Sequence, residues 1–338
     1  MTSGVVRLEA CALPPARTAD TAHLTPPPRF GRTTFAGYAP QTDVQAQAKS
    51  DVQAFVTSRP RPWGPLKWLT RQEGRGLYLD GGFGVGKTHL LAAAWQAAEW
   101  APEHKAYLSF QELVYLVGLL GSEAAGKAFS RTRLLCIDEF ELDDPGNTLI
   151  VSKFLRQVMT HGTDVMTTSN TPPASQGQGR FAADDFRREI QGIAGRFTVV
   201  ALDGSDYRAP PTGVDVNTAE TFAADLQAAP PGSVLAGAQE LTEFLRALHP
   251  VRYGEFLKTT PALFLEELPS LPGQNDALRF VHFVDKAYDL GTGLRVSGDV
   301  TLDGIFDDSY MDGAYAKKHR RCLSRLSEML QEPVSSAG

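Results

Sequence analysis

The sequence points to an α/β protein in which helices cover both faces of a parallel sheet, followed by a mainly helical region. Three features carry that expectation. Short apolar runs alternate with helical stretches between Gly76 and Leu202, as in sheets whose parallel strands are joined by crossover helices. Between the first run and its helix stands Gly81-Gly82-Phe83-Gly84-Val85-Gly86-Lys87-Thr88, a glycine-rich turn closed by a lysine and a hydroxyl residue. A later run, Leu134-Leu135-Cys136-Ile137, ends on two consecutive acids, Asp138 and Glu139.

Taken in order, the chain divides into an N-terminal extension docking on the core (1–60), a core (61–208) and a mainly helical C-terminal lid (209–338). Residues 1–28 carry Pro14-Pro15 and Pro26-Pro27-Pro28. Proline resists helix, so this stretch reads as a loose, partly disordered tail. Phe30, Phe35 and Tyr38 are the first aromatic anchors on the folded body. Val44, Ala48, Val52 and Phe55 or Val56 repeat at helical spacing, which predicts a helix over 45–56.

In the core, 76–80 is a short apolar run bounded by glycines and reads as a buried strand. The Ala- and Leu-rich stretch 88–100 reads as a helix. Further strands are expected at 106–110, 134–137, 164–169 and 197–202. Helices are expected at 111–120 (stopped by Gly121), 148–160 and 184–193. Beyond the Pro210-Pro211 linker, the helical stretches are 218–229, 238–248, 275–289 and 315–330, with short strands at 262–265 and 294–297.

Composition narrows the function. Lys and Arg number 33 against 39 Asp and Glu, a formal charge of −6. General nucleic-acid coats need a basic footprint, so there is no strong nucleic-acid signal. Cys11, Cys136 and Cys322 match no zinc or redox spacing and suit a reducing compartment. No secretory leader is visible, and the longest apolar run, 113–120, is too short to span a bilayer. The expectation is a soluble, cytoplasmic protein.

The glycine-rich turn fits G-x-x-x-x-G-K-[ST]. Phosphate oxygens need converging backbone N–H groups, and glycines let the chain wrap that closely. The helix that follows adds free N–H groups and the positive end of its dipole. Residues 81–88 are therefore the candidate phosphate cradle, with Lys87 reaching the β- and γ-phosphates of ATP and the Thr88 hydroxyl a ligand for Mg²⁺. His89 follows as a helix residue beside the nucleotide, and Phe30, Phe35 and Tyr38, read first as core anchors, are alternatively a platform for adenine. Asp138 lies at the carboxyl end of a strand, the edge where parallel sheets bind ligands, and would hold Mg²⁺. Glu139 would orient and deprotonate the attacking water. The bland alternative for these acids is a solvated turn, since Glu141, Asp143 and Asp144 follow. Asn170 ends the strand Val165-Met166-Thr167-Thr168-Ser169. It either polarises the water or touches the γ-phosphate, or is an ordinary turn asparagine before Pro172.

These three boxes in this order resemble the AAA+ branch of P-loop ATPases, which implies a sheet of order 5-1-4-3-2 and a helical lid. A narrower likeness rests on Cys136-Ile137-Asp138-Glu139-Phe140, Thr168-Ser169-Asn170-Thr171-Pro172-Pro173, Asp203-Gly204-Ser205-Asp206-Tyr207-Arg208, Ala287-Tyr288-Asp289 and Leu323-Ser324-Arg325-Leu326-Ser327-Glu328-Met329. From about Pro26 onward the chain resembles the ZapE family of cell-division ATPases, the AFG-like ATPases. The resemblance implies a protein partner, FtsZ filaments of the division ring, loosened with ATP. It also implies a homo-oligomer and peripheral association with the inner face of the membrane, since mitochondrial relatives serve inner-membrane quality control.

It further implies an arginine finger before the fifth strand. Relatives carry R-x-R-F-L-P there, whereas this chain reads Gly179-Arg180-Phe181 and Asp185-Phe186-Arg187-Arg188. Arg180 and Arg188 are the candidates, with surface arginines as the equal alternative. Arg279 and Arg325 are candidate lid sensors for the γ-phosphate. The alternative for Arg325 is a solvated basic helix face with Lys317, Lys318, Arg320 and Arg321, opposite a buried stripe of Cys322, Leu323, Leu326, Met329 and Leu330. Two rival functions are a DNA-associated AAA+ ATPase of the helicase-loader or transposition-helper type, and a nucleotide sensor that does not hydrolyse.

Overall fold

The computed structural model describes the chain except residues 1–3, 13–23, 59–72, 83, 143–144, 173–191, 193, 205–218, 298–301, 303, 312–314 and 335–338. The chain forms two compact units. One comprises Arg17–Pro26 and Phe30–Tyr207, the other Met1–Ala16, Pro27–Arg29 and Arg208–Gly338. The expected N-terminal extension is thus divided between them.

The first unit is a parallel sheet of β2 (Gly76–Gly81), β3 (Lys105–Ser109), β4 (Leu134–Asp138), β5 (Asp164–Ser169) and β6 (Phe197–Leu202), in spatial order β3-β4-β5-β2-β6. Counted one to five in chain order and read from β6, this is 5-1-4-3-2, the expected AAA+ P-loop order. Strand side chains alternate between faces. Leu77, Leu79, Tyr107, Cys136 and Met166 pack on one face, with Leu90, Leu91 and Trp95 of α2 (Lys87–Ala97) and Ala48 and Val52 of α1 (Asp43–Thr57). Tyr78, Leu108, Ile137 and Val165 pack on the other, with Leu113 and Val117 of α3 (Phe110–Leu120) and Phe154 and Val158 of α5 (Pro145–Thr160). Leu90 and Leu91 are fully buried, each stabilising by roughly 1.5–3 kcal/mol. Ser109 and Glu112 close a reciprocal capping box on α3, and Gly121 ends it at φ +78°. The short α4 (Ser122–Ala128) has no counterpart in the sequence reading. The helix expected over 184–193 lies outside the described residues.

The second unit is mainly helical, as expected, and its helices accompany a sheet of short strands. It is built on a second parallel sheet, β1 (Val6–Arg7), β7 (Val234–Ala236), β8 (Ala262–Leu265) and β9 (Gly293–Val296), in the order β1-β7-β8-β9. Its helices are α6 (Ala219–Gln227), α7 (Ala238–Ala247), α8 (Tyr253–Leu257), α9 (Gln274–Leu290) and α10 (Ala316–Gln331). β8 and β9 fall, to within one residue, at the short strands expected over 262–265 and 294–297, whereas β1 and β7, two and three residues long, are too short for an alternation signal. Part of the stretch expected as a loose tail is ordered. Residues 6 and 7 pair with β7, Leu8 is buried in the core, and Arg7 bonds Glu266 at 2.8 Å. Pairing replaces the missing periodicity as the force that orders these residues.

On α10, Cys322, Leu326, Met329 and Leu330 are buried and Leu323 is partly so, as the stripe requires. Arg321 and Arg325, expected in one alternative on a solvated face, are each only 6 % exposed. Both donate to the buried carboxylate of Asp285, Arg321 at 2.5 Å. A buried charge must be paired, and the buried carboxylate of Asp285 on α9 draws both arginines inward, with Asp289 4.0 Å from Arg325 as well. The guanidiniums in turn hold the Asp285 carboxyl well below the usual carboxylate range, against the burial that alone would raise it. Nearby, Arg29 bonds Glu332 at 2.5 Å and stacks 3.8 Å over the ring of Tyr288, whose hydroxyl donates to Glu328.

Burial pulls His282 of α9 down to about 4, with Asp285 opposing and Lys318, Arg321 and Lys286 assisting. Burial lowers His249 and His319 as well. A folded-state value below the unfolded 6.5 means that the unfolded chain binds the proton first. This stability is complete above about pH 6.5 and is lost as pH falls towards 4. The expected loss from His282 alone is about 2 kcal/mol at pH 5, read as a lower urea midpoint than at pH 7.5. An unchanged midpoint would contradict the assignment.

Candidate active site

The sheet brings the carboxyl ends of β2, β4 and β5 side by side, with Leu79 level with Thr168 and Ile137 level with Thr167. The phosphate turn leaves β2, the two acids leave β4, and Asn170 leaves β5. Gly86 has φ +87°, a left-handed conformation that a side chain would strain. It is the N-cap of α2 and offers no side chain to the helix's first N–H groups, which leaves them available to an anion.

Lys87 is only 8 % exposed. Its Nζ donates to Asn170 Oδ1 at 2.8 Å, to Gly81 O at 2.8 Å and to Gly82 O. The lysine of the turn and the asparagine of the third box therefore meet. Thr88 Oγ1 donates to Asp138 Oδ1 at 3.3 Å, which joins the two residues expected to hold the metal. Both are hard oxygen donors of the kind magnesium prefers.

Glu139 is the one described non-glycine residue with positive φ, +56°. Such a conformation persists only where the surroundings over-determine it. Thr168 supplies that constraint. Its hydroxyl accepts from Glu139 N at 3.0 Å and donates to Asp138 Oδ1, and its carbonyl accepts from Phe140 N at 2.7 Å. Phe140 is buried edge-on against Phe110 and Tyr78, so the chain beyond the acids is anchored too. Tyr107 of β3 donates to Asp138 Oδ2 at 3.2 Å.

Sequence reasoning did not give Thr168 or Tyr107 these roles, yet both follow from strand parity. Thr168 shares a strand face with Asn170, and Tyr107 is level with Cys136, two residues before Asp138. Burial pushes the Cys136 thiol well up, which leaves it a neutral core side chain.

The other expected residues have their own partners. The His89 ring bonds Thr34 O at 3.0 Å and lies 5.5 Å from Tyr38, tying an upstream segment to α2. Arg279 donates to Leu245 O and Leu248 O, at 2.8 and 3.0 Å, where α7 ends. With Arg325 held by Asp285, both lid arginines are engaged inside the second unit. Phe83, Arg180 and Arg188 lie outside the described residues.

A 5-1-4-3-2 parallel sheet carrying a Gly-Lys-Thr turn beside an Asp-Glu strand tip defines a P-loop NTPase of the AAA+ type. The chain belongs to the AFG1-like ATPases, whose family model matches residues 14–229 and 217–336. It is 23% identical to the cell division protein ZapE of Escherichia coli K12, over 91% of this chain and 96% of that protein. It is 21% identical to the uncharacterized protein C115.02c of Schizosaccharomyces pombe, over 76% of this chain and 73% of that one. The crystal structure of DnaI superposes with a TM-score of 0.42 at 19% identity, over 55% of this chain and 98% of that one. Among the described residues, no helix is long and apolar enough to cross a membrane.

Proposed function

We propose that this protein hydrolyses ATP to ADP and phosphate and uses the cycle to remodel a protein partner, with FtsZ filaments of the division ring as the first partner to test. The observation that carries the reading is the convergence of Lys87, Thr88, Asp138, Glu139 and Asn170 at one sheet edge. In this reading the backbone of residues 81–88 binds the phosphates, and Lys87 exchanges Asn170 and the glycine carbonyls for phosphate oxygens. Thr88 and Asp138 hold Mg²⁺, which neutralises phosphate charge. Glu139 takes a proton from the attacking water, and Asn170, released by Lys87, orients that water. Arg180 or Arg188 serves as the finger, supplied to a neighbouring copy, so that turnover depends on assembly. The division-ring partner is suggested by the name of the Escherichia coli relative.

The test is phosphate release from the purified full chain with and without FtsZ filaments, with filament sedimentation in parallel. The expected result is release that rises with filaments present, together with ATP-dependent loss of sedimentable FtsZ. Release that ignores the filaments and leaves them intact would contradict the partner. No release under either condition would contradict the ATPase.

A further inference from the structure

The back of the phosphate turn is held by a segment that precedes the sheet. Tyr38 is 4 % exposed, and its hydroxyl donates to Val85 O at 2.9 Å. Its ring lies against Gly86, where an added Cβ would stand 2.4 Å from Tyr38 Cε2. The segment is fixed on several sides. Tyr38 N donates to Phe35 O at 3.2 Å, Lys49 Nζ donates to Tyr38 O at 3.0 Å, and the His89 ring bonds Thr34 O.

A trans peptide directs its C=O and the next N–H to opposite sides. A hydroxyl that draws the Val85 carbonyl backwards therefore turns the Gly86 N–H forwards. Gly86 immediately precedes Lys87, and its N–H belongs to the set that a phosphate cradle needs. We propose that Tyr38 is a positioning residue for the phosphate turn, its hydroxyl fixing the Val85–Gly86 peptide so that the Gly86 N–H faces the triphosphate before the nucleotide arrives. Donors fixed in advance bind more tightly because ordering them costs nothing at the moment of binding. This explains why glycine stands at position 86 for two reasons, its left-handed φ and the ring behind it. It also makes the stretch around 34–38 part of the nucleotide machinery although it touches no nucleotide. The inference rests on the reading of residues 81–88 as an ATP site.

The test is Tyr38→Phe in the full chain, which keeps the ring and removes the hydroxyl. Mg-ATP affinity is measured by calorimetry and kcat at saturating ATP, both below the melting transitions of the two proteins. Loss of one ordinary hydrogen bond corresponds to affinity weaker by about tenfold, with kcat within about twofold of wild type. Affinity within about twofold of wild type overturns the proposal, whatever happens to the melting temperature. So does a fall in kcat at unchanged affinity, since a preset phosphate donor must show in binding. Absence of any Mg-ATP heat from the wild type would instead refute the ATP site itself, a result distinct from a difference between wild type and variant.

Discussion

Lys87→Ala is expected to weaken Mg-ATP affinity by at least about a hundredfold and to abolish phosphate release. A lysine reaching two phosphates contributes charge-assisted hydrogen bonds of roughly 1.5–3 kcal/mol each, and 2.7 kcal/mol is about a hundredfold. The fold should survive. Lys87 stands in the first turn of α2, alanine is the better helix former, and the apolar face of that helix is built by Leu90, Leu91 and Trp95. The melting temperature of the nucleotide-free variant should lie within about 4 °C of wild type, the shift that about 1 kcal/mol gives in a domain of this size. Affinity measured by calorimetry and turnover measured by phosphate release should thus collapse together in a folded protein. Retained tight binding would remove Lys87 from the cradle.

Glu139→Gln should behave oppositely in binding and alike in turnover. The amide keeps the shape of the carboxylate but cannot take a proton, so kcat should fall by about 10²–10⁴-fold while Mg-ATP affinity changes little. The backbone of residue 139 is held at φ +56° through its own N–H on Thr168, a bond the substitution leaves in place. The variant should therefore accumulate with ATP bound, which makes it the form to use for capturing a partner. Single-turnover measurement separates binding from chemistry, and turnover near wild type would take Glu139 out of its assigned role.

Much of the first unit was legible because its signals are local. The run 76–80, the glycine turn and the Ala- and Leu-rich helix after it stand next to one another in the sequence, and periodicity reports each. The meeting of Lys87 with Asn170 and of Thr88 with Asp138 was implied once the strand order was expected, since strands one, three and four end side by side in it. What was not legible depends on contacts between distant residues. Val6 and Arg7 are a strand only because Val234 and Leu235 pair with them. Arg321 and Arg325 read as a basic helix face, or Arg325 as a lid sensor, until Asp285, some 40 positions away, is seen to draw both inward. Tyr38 read as a core aromatic, and its hydroxyl bond to Val85 crosses 47 positions of sequence.

The central claim is that Mg-ATP is gripped between the Lys87 turn and the Asp138 tip. Its most direct test is calorimetric titration of the purified wild-type chain with ATP, in magnesium and again with the metal chelated. Saturable binding is expected, with one ATP per chain, substantially tightened by magnesium. No heat from a sample shown to be folded, or binding indifferent to magnesium, would contradict it.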